Sequence, residues 1–307
     1  MIHRLCMLAL LFALASVGGD MSRSAAQTAV APTAGGGAPP PGYEDVYAHR
    51  KRLLIIADTS TGNQTAHMAI SHAISVIEQL GRASGAYVTF IRTDTDLITK
   101  GEVCGTGDYA RGGSRQSCGH NLDYFDAVLF YTNGETNLSR RQRQDLLDFV
   151  AQDGKGFIGV HTATATAYGW PEYGEMIGGY FDDHPWTILD APVLVEDPSF
   201  PAMKAFPKAF TARDEIYQVR NFSRDRVRVL ARLDPAKLDL KNPRVHRTDN
   251  DFAVAWARNY GRGRVFYSTF GHTEESWDDP AMQTMWVEAI KWAMGLTNAD
   301  VTPRPAP

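Results

Sequence analysis

Short, largely apolar runs recur along this chain, and the stretches between them carry apolar residues at helical spacing. RLLIIAD (52–58) is the first run, ending in polar loop residues. A strand apolar on both faces has to be covered on both faces, the condition met by a parallel strand between helical layers. Residues 65–82 then carry Met68, Ile70, Ala73, Ile74, Ile77 and Leu80 at helical spacing. YVTFIRT (87–93) and AVLFYT (127–132) are the next strands. A helix over 138–152 follows, opened by Ser139 and turning Leu146, Leu147 and Val150 to one side. GFIGVH (156–161) is the fourth strand. This alternation predicts an α/β fold with a doubly wound, mostly parallel sheet and ligand groups at the carboxyl ends of its strands.

The second half is richer in strands. ILDAPVLVED (188–197), FTARDEIYQV (210–219), VRVLARL (227–233), FAVAWARNY (252–260) and GRVFYSTFGH (263–272) have strand character. A closing helix over 280–295 buries Met285, Trp286, Ala289, Ile290 and Ala293. Trp256, Trp286 and Trp292 fall within these strand and helix patterns and are expected in the core.

The ends read differently. A basic segment (1–4), an apolar stretch (5–17) and small residues after it form an export signal, with cleavage expected after Ala26. The apolar stretch is shorter than the roughly 18 residues a membrane helix needs. Residues 27–49 begin with an Ala, Pro and Gly-rich tether, the globular domain is expected over 50–297, and 298–307 form a tail. The product is expected to be soluble and exported, periplasmic or extracellular. A net charge of −4 with no basic block argues against a nucleic-acid surface.

Of three cysteines, Cys104 and Cys118 remain beyond the leader, flanking the polar loop GTGDYARGGSRQS. In an oxidising compartment a disulfide between them is expected, stabilising by about 3 kcal/mol. The sharper alternative, a metal held by the two thiolates, lacks a second ligand pair nearby.

Several familiar chemistries are excluded. The chain has no G-x-S-x-G, no phosphate-binding Walker loop and no H-E-x-x-H. Gly105-Thr106-Gly107 starts a G-x-G-x-x-A string inside the cysteine loop, not between a strand and a helix. Thr59-Ser60-Thr61-Gly62-Asn63 resembles a flavodoxin phosphate loop, but Gln64 replaces the usual threonine and no ring-stacking loop follows. Flavin is therefore not expected, and a plain capped turn accounts for these residues.

Three of the nine histidines stand at strand ends or loop starts: His161 in GVHTAT, His184 in FDDHPW and His272 in FGHTEESW. Trp170, Trp186 and Trp277 follow them in turn. Sugars need planar hydrogen-bonding groups for hydroxyls and aromatic faces for C–H surfaces. These tryptophans, with Asp183, Glu215, Tyr217, Thr273 and Glu274, are the candidate substrate contacts, against the plainer reading of packing under loops. His161, His184, His272 and Glu215 admit two roles. As acid–base groups they move protons beside a keto group or activate water. As ligands, three imidazoles and a carboxylate suit zinc with room for water. A glycosidase would instead need two acids about 5–10 Å apart, with Asp183 and Glu215 as the pair. His49, His67, His72, His120 and His246 have no comparable context and are expected on the surface or in loops.

The ordered set of strings carries a resemblance. VLFYTNGETNLSRRQRQDLLDFVAQDGKGFIGVHTATATAYGWPEYGEMIGGYFDDHP, then VEDPSFPA, TARDEIYQV and GRVFYSTFGHTEESWDDPAMQTMWVEAIKWAMG, resembles the ThuA-like family of trehalose utilisation over most of 52–296. The resemblance implies a class I glutamine amidotransferase-like (flavodoxin-like) fold and a role in catabolism of trehalose or other disaccharides, often beside a sugar dehydrogenase that makes 3-keto sugars. The matching motif residues are His161, His184 with Pro185, Asp214-Glu215 with Tyr217, and His272 with Thr273, Glu274 and Ser276. Two positions depart from the pattern. The histidine usual soon after the first-loop glycine is absent at 63–65, with His67 later, and a His-Pro-x-x-Trp string is absent before Trp256. Where amidotransferases carry a nucleophilic cysteine, this chain has His161, so thiol-dependent amide transfer is not expected.

The resulting expectation is hydrolysis or isomerisation of a disaccharide or its keto derivative. His161 and His272 would be proton-transfer groups or ligands, Glu215 the acid partner, and His184 would fix the pocket. The competing expectation is a carbohydrate-binding or scaffold module of the same fold without turnover.

Overall fold

A computed structural model of the protein describes residues 49–57, 67–104 and 118–306. The export signal, nearly all of the tether and the Thr59–Asn63 loop lie outside the described residues. Nine strands form one mixed sheet in the order β2-β1-β5-β6-β13-β12-β11-β8-β9. β1 (Lys51–Ile56), β2 (Tyr87–Arg92), β5 (Ala127–Phe130), β6 (Gly156–Val160) and β13 (Gly263–Ser268) pair in parallel. β8 (Ile188–Val195), β9 (Ala209–Glu215), β11 (Arg228–Leu233) and β12 (Ala253–Tyr260) extend the sheet antiparallel from β13. Two short pairs complete the strands: β3 (Val103–Cys104) with β4 (Cys118–Gly119), and β7 (Tyr180–Asp183) with β10 (Gln218–Arg220).

The apolar runs explain the parallel half. Leu53 and Ile55 of β1 enter one hydrophobic cluster, while Leu54 and Ile56 enter another, so both sheet faces are covered. Every residue of β5 and β6 is buried. Five α-helices occur among the described residues: α1 (Ile70–Ser84), α2 (Arg140–Ala151), α3 (Pro171–Ile177), α4 (Glu274–Asp278) and α5 (Pro280–Ala293). Ser139 caps α2 in a reciprocal box with Gln142, satisfying N–H groups that the first turn leaves open. Trp256, Trp286 and Trp292 are buried core residues, as their positions predict.

Three differences from the sequence reading have physical causes. The sheet is mixed rather than mostly parallel, because the strand-rich second half joins the edge of the parallel half instead of forming a layer of its own. The run 210–219 is not one strand. β9 ends at Glu215 in the β8 ladder, whereas β10 turns away to pair with β7. Between them the Tyr217 N–H donates to Thr269 Oγ1 (3.2 Å) and not to a strand neighbour. The segment after Asn298 is held on the body: Val301 is buried, and the buried Arg228 guanidinium donates to the Thr302 carbonyl (3.1 Å) and to Asp197 (2.7 Å). Among the described residues no helix is long and apolar enough to cross a membrane.

Candidate functional site

Four segments distant in sequence converge beyond the carboxyl ends of β6 and β13. His161 follows directly on β6, His272 lies in the turn after β13, Glu215 is the last residue of β9, and His67 lies just before α1. One ligand atom from each of these four residues lies within 4.8 Å of the others.

The chain turns sharply to present His161. Its φ is +44°, a region that non-glycine residues rarely adopt and that clusters at functional positions. The ring is wholly buried, and its Nδ1 lies 2.6 Å from the Thr269 carbonyl. A carbonyl only accepts, so Nδ1 carries the proton and a neutral His161 directs the lone pair of Nε2 into the cluster. Around Nε2 stand the Tyr217 hydroxyl (2.7 Å), His272 Nδ1 (3.1 Å) and Glu215 Oε2 (3.5 Å). The same Oε2 lies 3.2 Å from His272 Nδ1. The His67 ring centroid is 5.1 Å from that of His161 and 5.0 Å from that of His272.

Electrostatics follow from this crowding. Burial alone would raise the Glu215 carboxyl, but the neighbouring imidazoles, with His272 Nδ1 as the hydrogen-bond partner, hold it well below the usual carboxylate range. The same bond to Glu215 raises His272 against the opposing effect of burial. Burial keeps the Tyr217 phenol far above its ordinary value, so its hydroxyl remains a donor.

The geometry suits a metal ion. Tetrahedral zinc with bonds of about 2.0–2.1 Å separates neighbouring donor atoms by roughly 3.4 Å. His161 Nε2, His272 Nδ1 and Glu215 Oε2 form a triangle with edges of 3.1, 3.2 and 3.5 Å, close to one face of such a tetrahedron. His67 stands beside that triangle and could supply a fourth donor.

His184 lies at the rim. Its Nδ1 is 3.4 Å from Glu215 Oε1, the other oxygen of the shared carboxylate, and its side chain is one-third exposed. Asp183 accepts from the His184 N–H (2.7 Å) and binds the Arg244 guanidinium through both oxygens. The side chains brought together differ by one residue from the candidate set read in the sequence. His67, expected on the surface or in a loop, joins the cluster, and His184 stands outside it. The signal that could have found His67 was the displaced first-loop histidine, since the resemblance expects one in that region.

The tryptophans do not gather around the cluster. Trp277 is wholly buried, donates to the Gly271 carbonyl (3.0 Å) and stacks on Trp286. Trp170 is buried against Tyr173, with Arg143 over its ring. Trp186 packs edge-on to Phe252 and donates to the Asp239 carbonyl (3.1 Å). Of the other candidate contacts, Tyr217 reaches the cluster directly. Thr273 instead caps α4 by accepting the Ser276 N–H (3.3 Å), and Glu274 is exposed in the first turn of α4. Among the remaining histidines, His72 pairs with Asp278, His246 with Asp182, and His120 stacks on Tyr124.

Residues 52–293 match the ThuA family, described as trehalose utilisation. In fold, the chain is similar to a ThuA-like protein from Bacteroides uniformis, with 24% identity, TM-score 0.59, and coverage of 83% of this chain and 95% of that one. A second ThuA-like protein, from Parabacteroides merdae, shares 16% identity at TM-score 0.58 and covers 83% of this chain and 97% of its own. No curated protein matches the chain in sequence.

Proposed function

The chain belongs to the ThuA, trehalose-utilisation family, and from that premise we propose that it is an enzyme acting on a disaccharide or its keto derivative by hydrolysis or isomerisation. Membership of the family implies a part in carbohydrate metabolism. The specific reading rests on one observation, the convergence of three imidazoles and one carboxylate on a point that only the fold could bring together.

His67, His161, Glu215 and His272 would hold a divalent metal, zinc by donor type. A metal there supplies Lewis acidity toward a substrate oxygen. The protein's own groups would do the rest. His161 is fixed in orientation by the Thr269 carbonyl. The Tyr217 hydroxyl is a donor placed to meet a hydroxyl or carbonyl oxygen of the sugar. His184, part-exposed and beside Glu215, is the imidazole placed to pass protons between the site and solvent. Asp183 and Arg244 beside it offer an acceptor and donors for ring hydroxyls.

Three further readings belong to the same proposal. The β2-β1-β5-β6 order of the parallel half supports a class I glutamine amidotransferase-like winding. The ladder register that sets Cys104 opposite Cys118 supports a disulfide closing the intervening loop. The leader supports export, with a sugar dehydrogenase as the functional partner that would supply keto sugars.

The test is metal analysis of the purified protein, followed by incubation with trehalose, other disaccharides and 3-keto glycosides, with products identified by NMR. A product that disappears on chelation and returns with Zn2+ supports the proposal. Binding of glycans with no turnover, whatever metal is added, assigns the chain to the non-catalytic class instead.

A further inference from the structure

We propose that Asp214 is a positioning residue that presets Glu215 and His272 for metal binding, an inference that rests on the metal reading above. Asp214 is wholly buried at the penultimate position of β9. Its Oδ2 accepts the Gly271 N–H (2.7 Å). Its Oδ1 accepts the N–H groups of Glu215 (2.9 Å), His272 (3.0 Å) and Thr273 (3.3 Å). All four donors are backbone groups, and three of them are consecutive.

A buried carboxylate is costly unless hydrogen bonds replace its hydration. Here successive N–H groups of one turn converge on it, forming an anion-binding concavity filled by the protein's own side chain. The convergence needs Gly271, whose φ of +122° is unfavourable for any residue with a side chain, and whose added Cβ would meet Trp277 at 3.0 Å. The turn is also gripped from its other side. The Gly271 carbonyl accepts from the Tyr131 hydroxyl (2.5 Å) and from the Trp277 indole (3.0 Å).

One carboxylate thus ties the strand end carrying Glu215 to the turn carrying His272, two ligands far apart in sequence. The distance between their backbones is set before an ion arrives. Metal sites draw affinity from such outer partners, whose loss typically weakens binding by about 10–100-fold. Asparagine at 214 keeps the volume but turns an acceptor into an NH2 group facing an N–H donor.

The experiment titrates metal-free wild type and Asp214→Asn with Zn2+ by calorimetry, and records the visible spectrum of each with Co2+. The expected result is Zn2+ affinity about 10–100-fold weaker in the variant, with a weakened or shifted Co2+ band. A variant that melts earlier yet keeps wild-type affinity and the same Co2+ spectrum overturns the proposal, because its role is then structural alone. Should the variant not fold, hydrogen exchange of residues 271–273 in metal-free wild type decides. Protection before metal is added supports presetting, and protection only after metal is added overturns it. Wild type that binds no Zn2+ sinks the metal reading itself, and the exchange measurement then still decides whether Asp214 holds the turn.

Discussion

Nε2 of His161 lies 3.1 Å from Nδ1 of His272, although 111 positions separate the two residues in the chain. Two ring nitrogens at that distance need a proton or a cation between them, since facing lone pairs repel. With His161 Nδ1 committed to the Thr269 carbonyl, either His272 donates the proton or a metal ion takes its place. The first two predictions follow from this choice.

Replacing His272 by alanine removes a proposed ligand whose side chain stands at the edge of the core, about one-quarter exposed. Zn2+ affinity should fall by at least about 100-fold, more than the loss of an outer partner causes. The melting temperature of the metal-free protein should move by only a few degrees. Calorimetric titration and differential scanning calorimetry read the two quantities.

Imidazoles bind metal only when neutral, so Zn2+ binding at this site should release protons. Affinity should therefore decline as pH falls, and the decline should begin above the ordinary imidazole range, because the bond to Glu215 raises His272 in the metal-free protein. Titrations in buffers of different ionisation enthalpy measure the protons released. A binding constant indifferent to pH would assign the metal to groups other than imidazoles.

The Tyr217 hydroxyl touches His161 without being one of the four clustered donors. Tyr217→Phe should leave Zn2+ affinity within about threefold of wild type while lowering kcat by about 100-fold, the scale of a lost proton donor. Steady-state kinetics on whichever sugar is turned over, with calorimetry alongside, separate the two effects.

Trp277 supports the Gly271 turn from the core and presents no face to a ligand. Trp277→Ala should destabilise the protein by about 3–5 kcal/mol. The milder Trp277→Phe should lower the melting temperature with little change in KM. A raised KM at unchanged stability would return this indole to the sugar site.

Asp126 gives a stability prediction away from the site. Burial would raise its carboxyl, but the Arg52 N–H (2.9 Å) and the ammonium groups of Lys51 (3.0 Å) and Lys155 (3.5 Å) together hold it below the ordinary value. A depressed carboxyl stabilises the fold above its unfolded pKa, and that stability is lost as pH falls through the folded value. Asp126→Asn should cost about 1 kcal/mol at pH 7. Urea denaturation at pH 7 and again in strong acid should show the difference and then its disappearance.

The fold was legible where local pattern and tertiary role agree. β5, β6 and β1 from Leu53 onward are buried on both faces, so those residues are apolar and announce themselves. The capped helix after Ser139 was legible for the same reason, since the cap is a local interaction. The break at Ile216-Tyr217 was not, because it is made by Thr269 and β7, partners remote in sequence. Among the site residues, His161, His272 and Glu215 stand at element ends, where side chains are free to face a ligand. His67 has no such mark in the sequence, and only its neighbours in space give it a role. The tryptophans misled because aromatic residues suit sugar binding and core packing equally, and burial, which decides between them, is a property of the fold.

The most direct test of the central claim is X-ray absorption at the zinc edge on protein reconstituted with one Zn2+ per chain, for wild type and for His67→Ala. Wild type should show a four- or five-coordinate ion with three imidazole nitrogens and a carboxylate oxygen, and the variant one imidazole fewer. Failure to bind Zn2+ stoichiometrically, or a wild-type spectrum unchanged by the loss of His67, would contradict the claim.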